Sequence, residues 1–393
     1  MNNTAAFIPY GRQNINDADI EAVIRTLKSD WITQGPTIDV FEKAIAAYCG
    51  TRYAVAVNSA TSALHIACLA AELKPGDILW TSPNTFVASA NCALYCGAKV
   101  DFVDIDPQTY NLSVTALAQK LHQASMQGTL PKVVIPVHFA GQSCEMQQMH
   151  ALSQQYGFQL IEDASHAIGA QYQQQPVGNC AFSEMTVFSF HPVKIITTGE
   201  GGMVLTNRED LYQSLLRLRS HGITRDDAFM NGPSDGPWYY QQVDLGFNYR
   251  LTDIQAALGL SQMSRLDAFV ERRRSLAARY DALLERLPII RPWQSPDTQS
   301  SFHLYPIQLK LEEMKPNRRQ VFDALRAQQI GVNVHYIPVH TQPYYRKLGF
   351  NRGDLPNAER YYARAISLPL YYDLSEADQD RVIDALEAAI AKS

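Results

Sequence analysis

A large excess of charge of either sign is missing from this chain. Asp, Glu, Lys and Arg supply 19% of the 393 residues and leave a net charge of -5, so there is no broad basic field to hold nucleic acid. Long apolar runs are missing too, for no span approaches the ~20 residues that a membrane helix requires. The opening MNNTAAFIPYGRQ is polar and broken by proline, with no basic start leading into an apolar stretch, and the expected location is the cytoplasm with no membrane attachment. Six cysteines, Cys49, Cys68, Cys92, Cys96, Cys144 and Cys180, show no paired CxxC ladder and sit mostly in apolar surroundings. They read as buried free thiols in a reducing compartment rather than a disulfide framework. No metal is expected, because His335 and His340 stand five residues apart with no carboxylate or cysteine to complete a ligand set. Internal repeats and low-complexity linkers are also absent.

What is present is the hydrophobic content of a globular protein, 46%, in a chain long enough for two or three domains. The first half alternates helix and strand. Asp17 to Lys28 and Pro36 to Cys49 read as helices, the second with proline in its first turn and Gly50 just past its end. Short apolar strands follow at Tyr53 to Val57, Ile78 to Thr81, Lys99 to Val103, Val133 to Val137 and Gln159 to Ile161, with helices from about Thr61 and Val87 among the segments between. Near-continuous apolar strands in a βαβ rhythm predict a mostly parallel sheet covered on both faces. After Asp253 the pattern changes to a long helical stretch, Asp253 to Leu287, then alternation at Phe302 to Leu311, a helix at Asn317 to Gln328, a strand at Gly331 to Tyr336 and a terminal helix after Ser375. The expected division is therefore a large α/β domain, 1–254, and a smaller C-terminal α+β domain, 255–393.

The densest signal is TVFSFHPVKIITTGEGGMVLTN. Thr186 to Phe190 reads as a buried strand and His191 to Gly202 as a loop, which sets Lys194 at the strand's mouth. A lysine desolvated there has a lowered pKa, and its neutral amine can form a Schiff base with a carbonyl such as that of pyridoxal phosphate. That cofactor needs a buried acid for its ring nitrogen, and Glu162 and Asp163, at the end of the apolar run in QLIEDASHA, offer one. NSATSAL follows a strand and opens a helix, so its backbone N–H groups suit an anion. Capping by Ser59 or Thr61 is the compatible local role.

These segments resemble the DegT/DnrJ/EryC1/StrS sugar aminotransferases, which have the pyridoxal-phosphate fold type I architecture. The resemblance runs through ITQGP, NSATSAL, SPNTFVASANC, EDASHA, SFHPVK, GEGG, NYRLTDIQAALGL and HYIPVH, in that order and over nearly the whole chain. It implies that Lys194 carries the cofactor and moves the substrate proton, that Asp163 faces the ring nitrogen, and that Ala60, Thr61 and Ser189 hold the phosphate. It also implies that Phe86 stacks on the ring, that His166 lies at the phenolic oxygen or the ring face, and that Asn248 reaches the phosphate of a neighbouring subunit, making a homodimer with shared active sites. Within the family the wording is most similar to the transaminases that aminate C4 of a UDP-linked 2-acetamido-2,6-dideoxy-4-ketohexose on the route to pseudaminic acid, with L-glutamate leaving as 2-oxoglutarate.

Substrate contacts are expected from the ring-rich segment holding His335, Tyr336, His340 and Tyr344, and from Tyr10, Thr33, Gln34 and His191. Arg250 is the candidate partner for the donor's carboxylates. Other readings stay open. A dTDP- or GDP-linked ketosugar would serve the same chemistry. Three rivals lack their marks in this sequence: a dehydratase of the family has histidine where Lys194 stands, a sensing regulator would want a DNA-binding element or basic stripe, and a cysteine desulfurase would want an exposed nucleophilic cysteine, a setting in which none of the six lies.

Overall fold

The computed structural model describes residues 6–391; the first five residues of the polar opening segment lie outside them. The helices are α1 (Asp17–Leu27), α2 (Pro36–Cys49), α3 (Ala60–Ala70), α4 (Ala88–Tyr95), α5 (Val114–Gln127), α6 (Met146–Tyr156), α7 (Glu209–Arg219), α8 (Asp253–Met263), α9 (Leu266–Leu283), α10 (Arg318–Ala327), α11 (Pro343–Arg346), α12 (Pro356–Arg364) and α13 (Glu376–Ala391). The main strands are β1 (Tyr53–Val57), β2 (Ile78–Thr81), β3 (Lys99–Phe102), β4 (Val133–Ile135), β5 (Gln159–Asp163), β6 (Met185–Ser189) and β7 (Gly202–Thr206). A smaller sheet follows, made of β8 (Ile289–Ile290), β9 (Tyr305–Leu309) and β10 (Ala365–Leu368).

The seven strands of the large sheet lie in the order β1-β7-β6-β5-β4-β2-β3. All neighbours from β6 to β3 are parallel, and β7 runs antiparallel to both β6 and β1. Val55, Val187 and Val204 point into one core with α3, α4 and α7, while Ala56, Phe188 and Leu205 point into another with α2 and the start of α9. Burial on both faces is why the strands read as unbroken apolar runs. At the β1 edge, Glu42 accepts from Ala56 N–H at 2.7 Å and Arg219 donates to the Ala56 carbonyl at 2.9 Å, so the edge backbone is satisfied by side chains.

Helix α2 starts at Gly35 without a side-chain cap of its own. Asp253, fully buried at the start of α8, accepts instead from the N–H groups of Gly35 (2.7 Å) and Thr37 (3.0 Å). This borrowed cap ties α2 to α8 across more than two hundred residues.

Two expectations are corrected. The helical stretch from Asp253 is two helices, broken where Ser264 Oγ donates to the Ser261 carbonyl (2.7 Å) and Arg265 turns to Asn14 and Asp19 of the α1 entry. Gly331 to Tyr336 is not a strand: its backbone bonds go to Ile8, Ser367 and the Asn84 side chain in turn, so no single neighbour offers a ladder. We propose the boundary at 254/255 as a division in sequence, for α9 spans two cores: Phe269 packs in the large-sheet core and Leu276 and Tyr280 in that of the small sheet.

Candidate active site

A cavity of about 600 Å3 opens beside the ends of β5 and β6, where the carboxyl ends of parallel strands leave a crevice. Strand alternation separates the two acids at the end of β5. Glu162 is committed to the interior: it accepts from His138 Nε2 at 2.7 Å, Thr186 Oγ1 at 3.2 Å and Ser183 Oγ. Asp163 lines the cavity, where Ser89 Oγ donates to its Oδ2 at 2.6 Å and the Ser165 N–H to its Oδ1 at 3.1 Å. Of the two acids, Asp163 is therefore the one positioned to meet a bound ring.

Lys194 lines the same cavity, in the turn after β6. Desolvation lowers its pKa from 10.5 to about 8, against the opposing pull of the Asp163 carboxylate. Ser59, Ala60 and Thr61 face the cavity at the start of α3, with Ser189 beside them. Ser59 Oγ caps the Ser62 N–H at 3.1 Å, and among the described residues no hydrogen bond is made by the N–H groups of Ala60 and Thr61. An anion is what such free N–H groups at a helix start accept. Gly202 makes this approach possible: a Cβ there would stand 2.6 Å from the backbone of Ser59 and Ala60.

An anion cradle, a desolvated amine, a fixed carboxylate and the ring of Phe86, itself 59% exposed at the cavity wall, together fit pyridoxal phosphate. Tyr10, His166, His191, His335 and Tyr336 also line the cavity. His335 donates or accepts at Ser367 Oγ (2.8 Å), and burial with the nearby Lys194 charge drops its pKa to about 3.

Other expected residues lie elsewhere. His340 is fully buried and its Nε2 pairs with Glu359 at 2.9 Å, because the chain turns inward after Pro338. Tyr344 sits on a separate groove with Tyr95 and Asn91. Gln34 and Arg250 border a cleft of about 220 Å3 with Arg219 and Ser220, and Arg250 donates to Ser220 Oγ at 3.0 Å instead of entering its own chain's cavity. Thr33 bridges to Thr252 and Asn248 to Ser220, both away from that cavity. Sequence reading missed Ser89 and His303. Ser89 lies within the SPNTFVASANC motif yet 74 residues from its partner Asp163, and His303 follows no recognisable pattern although it is buried at the cavity wall, 4.3 Å from the His166 ring.

Residues 13–387 match the DegT/DnrJ/EryC1/StrS aminotransferase family. The spore coat polysaccharide biosynthesis protein SpsC of Bacillus subtilis is 40% identical over 383 residues, 97% of this chain and 96% of that one. A UDP-4-amino-4,6-dideoxy-N-acetyl-beta-L-altrosamine transaminase of Campylobacter jejuni is 38% identical over 386 residues, 98% of each chain. Among solved structures, Helicobacter pylori PseC, an aminotransferase involved in the biosynthesis of pseudoaminic acid, superposes with a TM-score of 0.88 at 30% identity, covering 98% of this chain and all of that one.

Proposed function

The chain belongs to the DegT/DnrJ/EryC1/StrS aminotransferase family, and on that premise we propose that it moves an amino group from L-glutamate to C4 of a UDP-linked 2-acetamido-2,6-dideoxy-4-ketohexose. That it is a sugar aminotransferase of the pyridoxal-phosphate class follows from the family. The observation that carries the site assignment is the meeting of Lys194, Asp163 and the α3 N-terminus in one cavity. The named sugar rests on the likeness to the Campylobacter transaminase and to PseC.

In this reading Ala60, Thr61 and Ser189 hold the cofactor phosphate, Phe86 and His166 flank the ring, and Asp163 holds the proton at the ring nitrogen. The cofactor, when bound, supplies an electron sink for the carbon that gains or loses nitrogen. Lys194 does the proton work: desolvation lowers the pKa of its amine, so it gives up its proton more readily than a free lysine, and as the neutral amine it takes the proton from the substrate carbon and as the ammonium returns it. Arginine could not take its place, since it stays protonated. Tyr10, His191, His335 and Tyr336 border the space left for sugar or amino donor.

We also propose a homodimer in which Asn248, Arg250, Thr33 and Gln34 complete the partner's site. Support comes from their placement off their own cavity and from the exposed apolar residues on the same stretches, Trp31 and Ile32 before α2 and Leu245 before Asn248. A second reading is another nucleotide-linked ketosugar, such as a dTDP- or GDP-4-keto-6-deoxyhexose, because SpsC, 40% identical over nearly its whole length, is named for spore coat polysaccharide biosynthesis and not for a pseudaminic acid route. The deciding experiment is glutamate-dependent amine transfer across a panel of UDP-, dTDP- and GDP-linked 4-ketosugars. Highest kcat/KM with the UDP-linked N-acetylated sugar supports the narrow assignment; a large preference for another nucleotide, or turnover of 3-ketosugars alone, overturns it.

A further inference from the structure

Two hydrogen bonds decide which nitrogen of His166 carries its proton. The Ala140 backbone N–H donates to His166 Nδ1 at 3.3 Å, and a backbone amide nitrogen can only donate, so Nδ1 is unprotonated. Burial, reinforced by the charge of Lys194, holds the ring well below the usual histidine pKa, so the imidazole is neutral. Its single proton is then on Nε2. Tyr336 Oη lies 3.1 Å from that nitrogen, and the ring therefore donates while the phenol oxygen accepts.

This fixes the direction of the tyrosine. Its own hydroxyl proton is turned away from His166, and among the described residues Tyr336 Oη has no other hydrogen-bond partner. Tyr336 lines the cavity that also holds Lys194 and Asp163. Burial and the negative charge of Asp163 push the phenol pKa far up, which keeps that proton in place. The His166 ring has little room to turn over: His303 lies against it at 4.3 Å and Phe139 at 6.2 Å.

We propose that Tyr336 is a hydrogen-bond donor of fixed polarity to an acceptor oxygen of the molecule that occupies the cavity, and that His166 is the positioning residue that sets this polarity. A hydroxyl free to rotate would serve donor and acceptor ligands alike; this one discriminates in favour of an anionic or carbonyl oxygen and against an N–H. The oxygen has two possible sources, the phenolic oxygen of the cofactor and an oxygen of a substrate. The identity of the acceptor rests on the aminotransferase reading, whereas the polarity rests on the two bonds to His166.

The polarity is tested first in the cofactor-free protein, by nitrogen-15 NMR of labelled histidines with His166 assigned by its loss in His166→Gln. The expected signal is a neutral ring protonated at Nε2 at pH 7; a ring protonated at Nδ1, or at both nitrogens, overturns the proposal whatever the enzyme's substrate. Tyr336→Phe is then measured in the loaded enzyme. With the cofactor oxygen as acceptor, the visible band of the resting protein shifts before any substrate is added. With a substrate oxygen as acceptor, the band stays and KM for one of the two substrates rises about tenfold, the other half-reaction being unchanged. His166→Gln, whose amide can accept from Ala140 and donate to Tyr336 at once, retains the Tyr336 effect, and His166→Leu reproduces Tyr336→Phe. A Tyr336→Phe protein whose band, KM values and half-reaction rates all stay within twofold of the parent overturns the proposal.

Discussion

Ser89 Oγ donates a 2.6 Å hydrogen bond to Asp163 Oδ2, joining the start of α4 to the end of β5 with both groups buried. Hydrogen bonds to ionised groups contribute about 1.5–3 kcal/mol. We propose Asp163 as the partner of the ring nitrogen, so Ser89→Ala is expected to lower kcat about tenfold or more with little change in fold. Stopped-flow rates of the glutamate half-reaction, with circular dichroism as the control for folding, check this. Full activity in a well-folded Ser89→Ala protein would count against the role given to Asp163.

Lys194→Ala is expected to abolish turnover while leaving cofactor bound non-covalently through the α3 cradle. In the parent protein, borohydride reduction followed by peptide mapping should place the fixed cofactor on Lys194; label on another lysine would overturn that assignment.

The lowered pKa of Lys194 has a stability consequence in the cofactor-free protein. The folded value, about 8, lies below the 10.5 of the unfolded chain. Between those values the unfolded state binds the extra proton, so stability rises with pH across that window. Below pH 8 the penalty for the buried charge is fully present. Lys194→Met should therefore melt higher than the parent at pH 7, with the gap closing as pH rises from about 8 towards 10.5. A gap independent of pH across that range would show the amine to be unperturbed.

Gly202→Ala places a methyl 2.6 Å from the Ser59 and Ala60 backbone. Overpacking against backbone costs about 1–3 kcal/mol, and here it displaces the start of α3. A lower melting temperature together with weaker cofactor binding, measured by fluorescence titration, is the expected pair of changes. Loss of stability alone would place the phosphate elsewhere.

The proposed sharing of active sites predicts complementation. Lys194→Ala and Asn248→Asp are each expected to be inactive, the second because a carboxylate is set against the phosphate. After subunit exchange a mixed dimer should recover part of the activity, since one of its two sites is intact. No recovery with exchange verified by mass spectrometry would argue for sites built from one chain.

Much of the large domain was legible because its signals are local. Apolar runs bounded by turn residues marked β1, β2 and the strands up to β6 to within a residue or two, and Pro36 with Gly50 marked the ends of α2. The position of Lys194 at a strand's mouth and the acid pair after QLI were likewise short-range patterns, as were the motifs that carried the family. Period-two alternation could put Glu162 and Asp163 on opposite faces of β5, but it could not say which face held the cavity. That depended on how β5 packs between β4 and β6, and on His138 and Ser183 claiming Glu162 from the other side. The same limit hid Ser89, whose partner is 74 residues away, and misplaced His340, which the chain turned inward to Glu359. Side-chain chemistry and spacing were thus set by the sequence itself, whereas the choice among chemically equal neighbours came from contacts distant in the chain, where packing and the pairing of buried polar groups leave one arrangement.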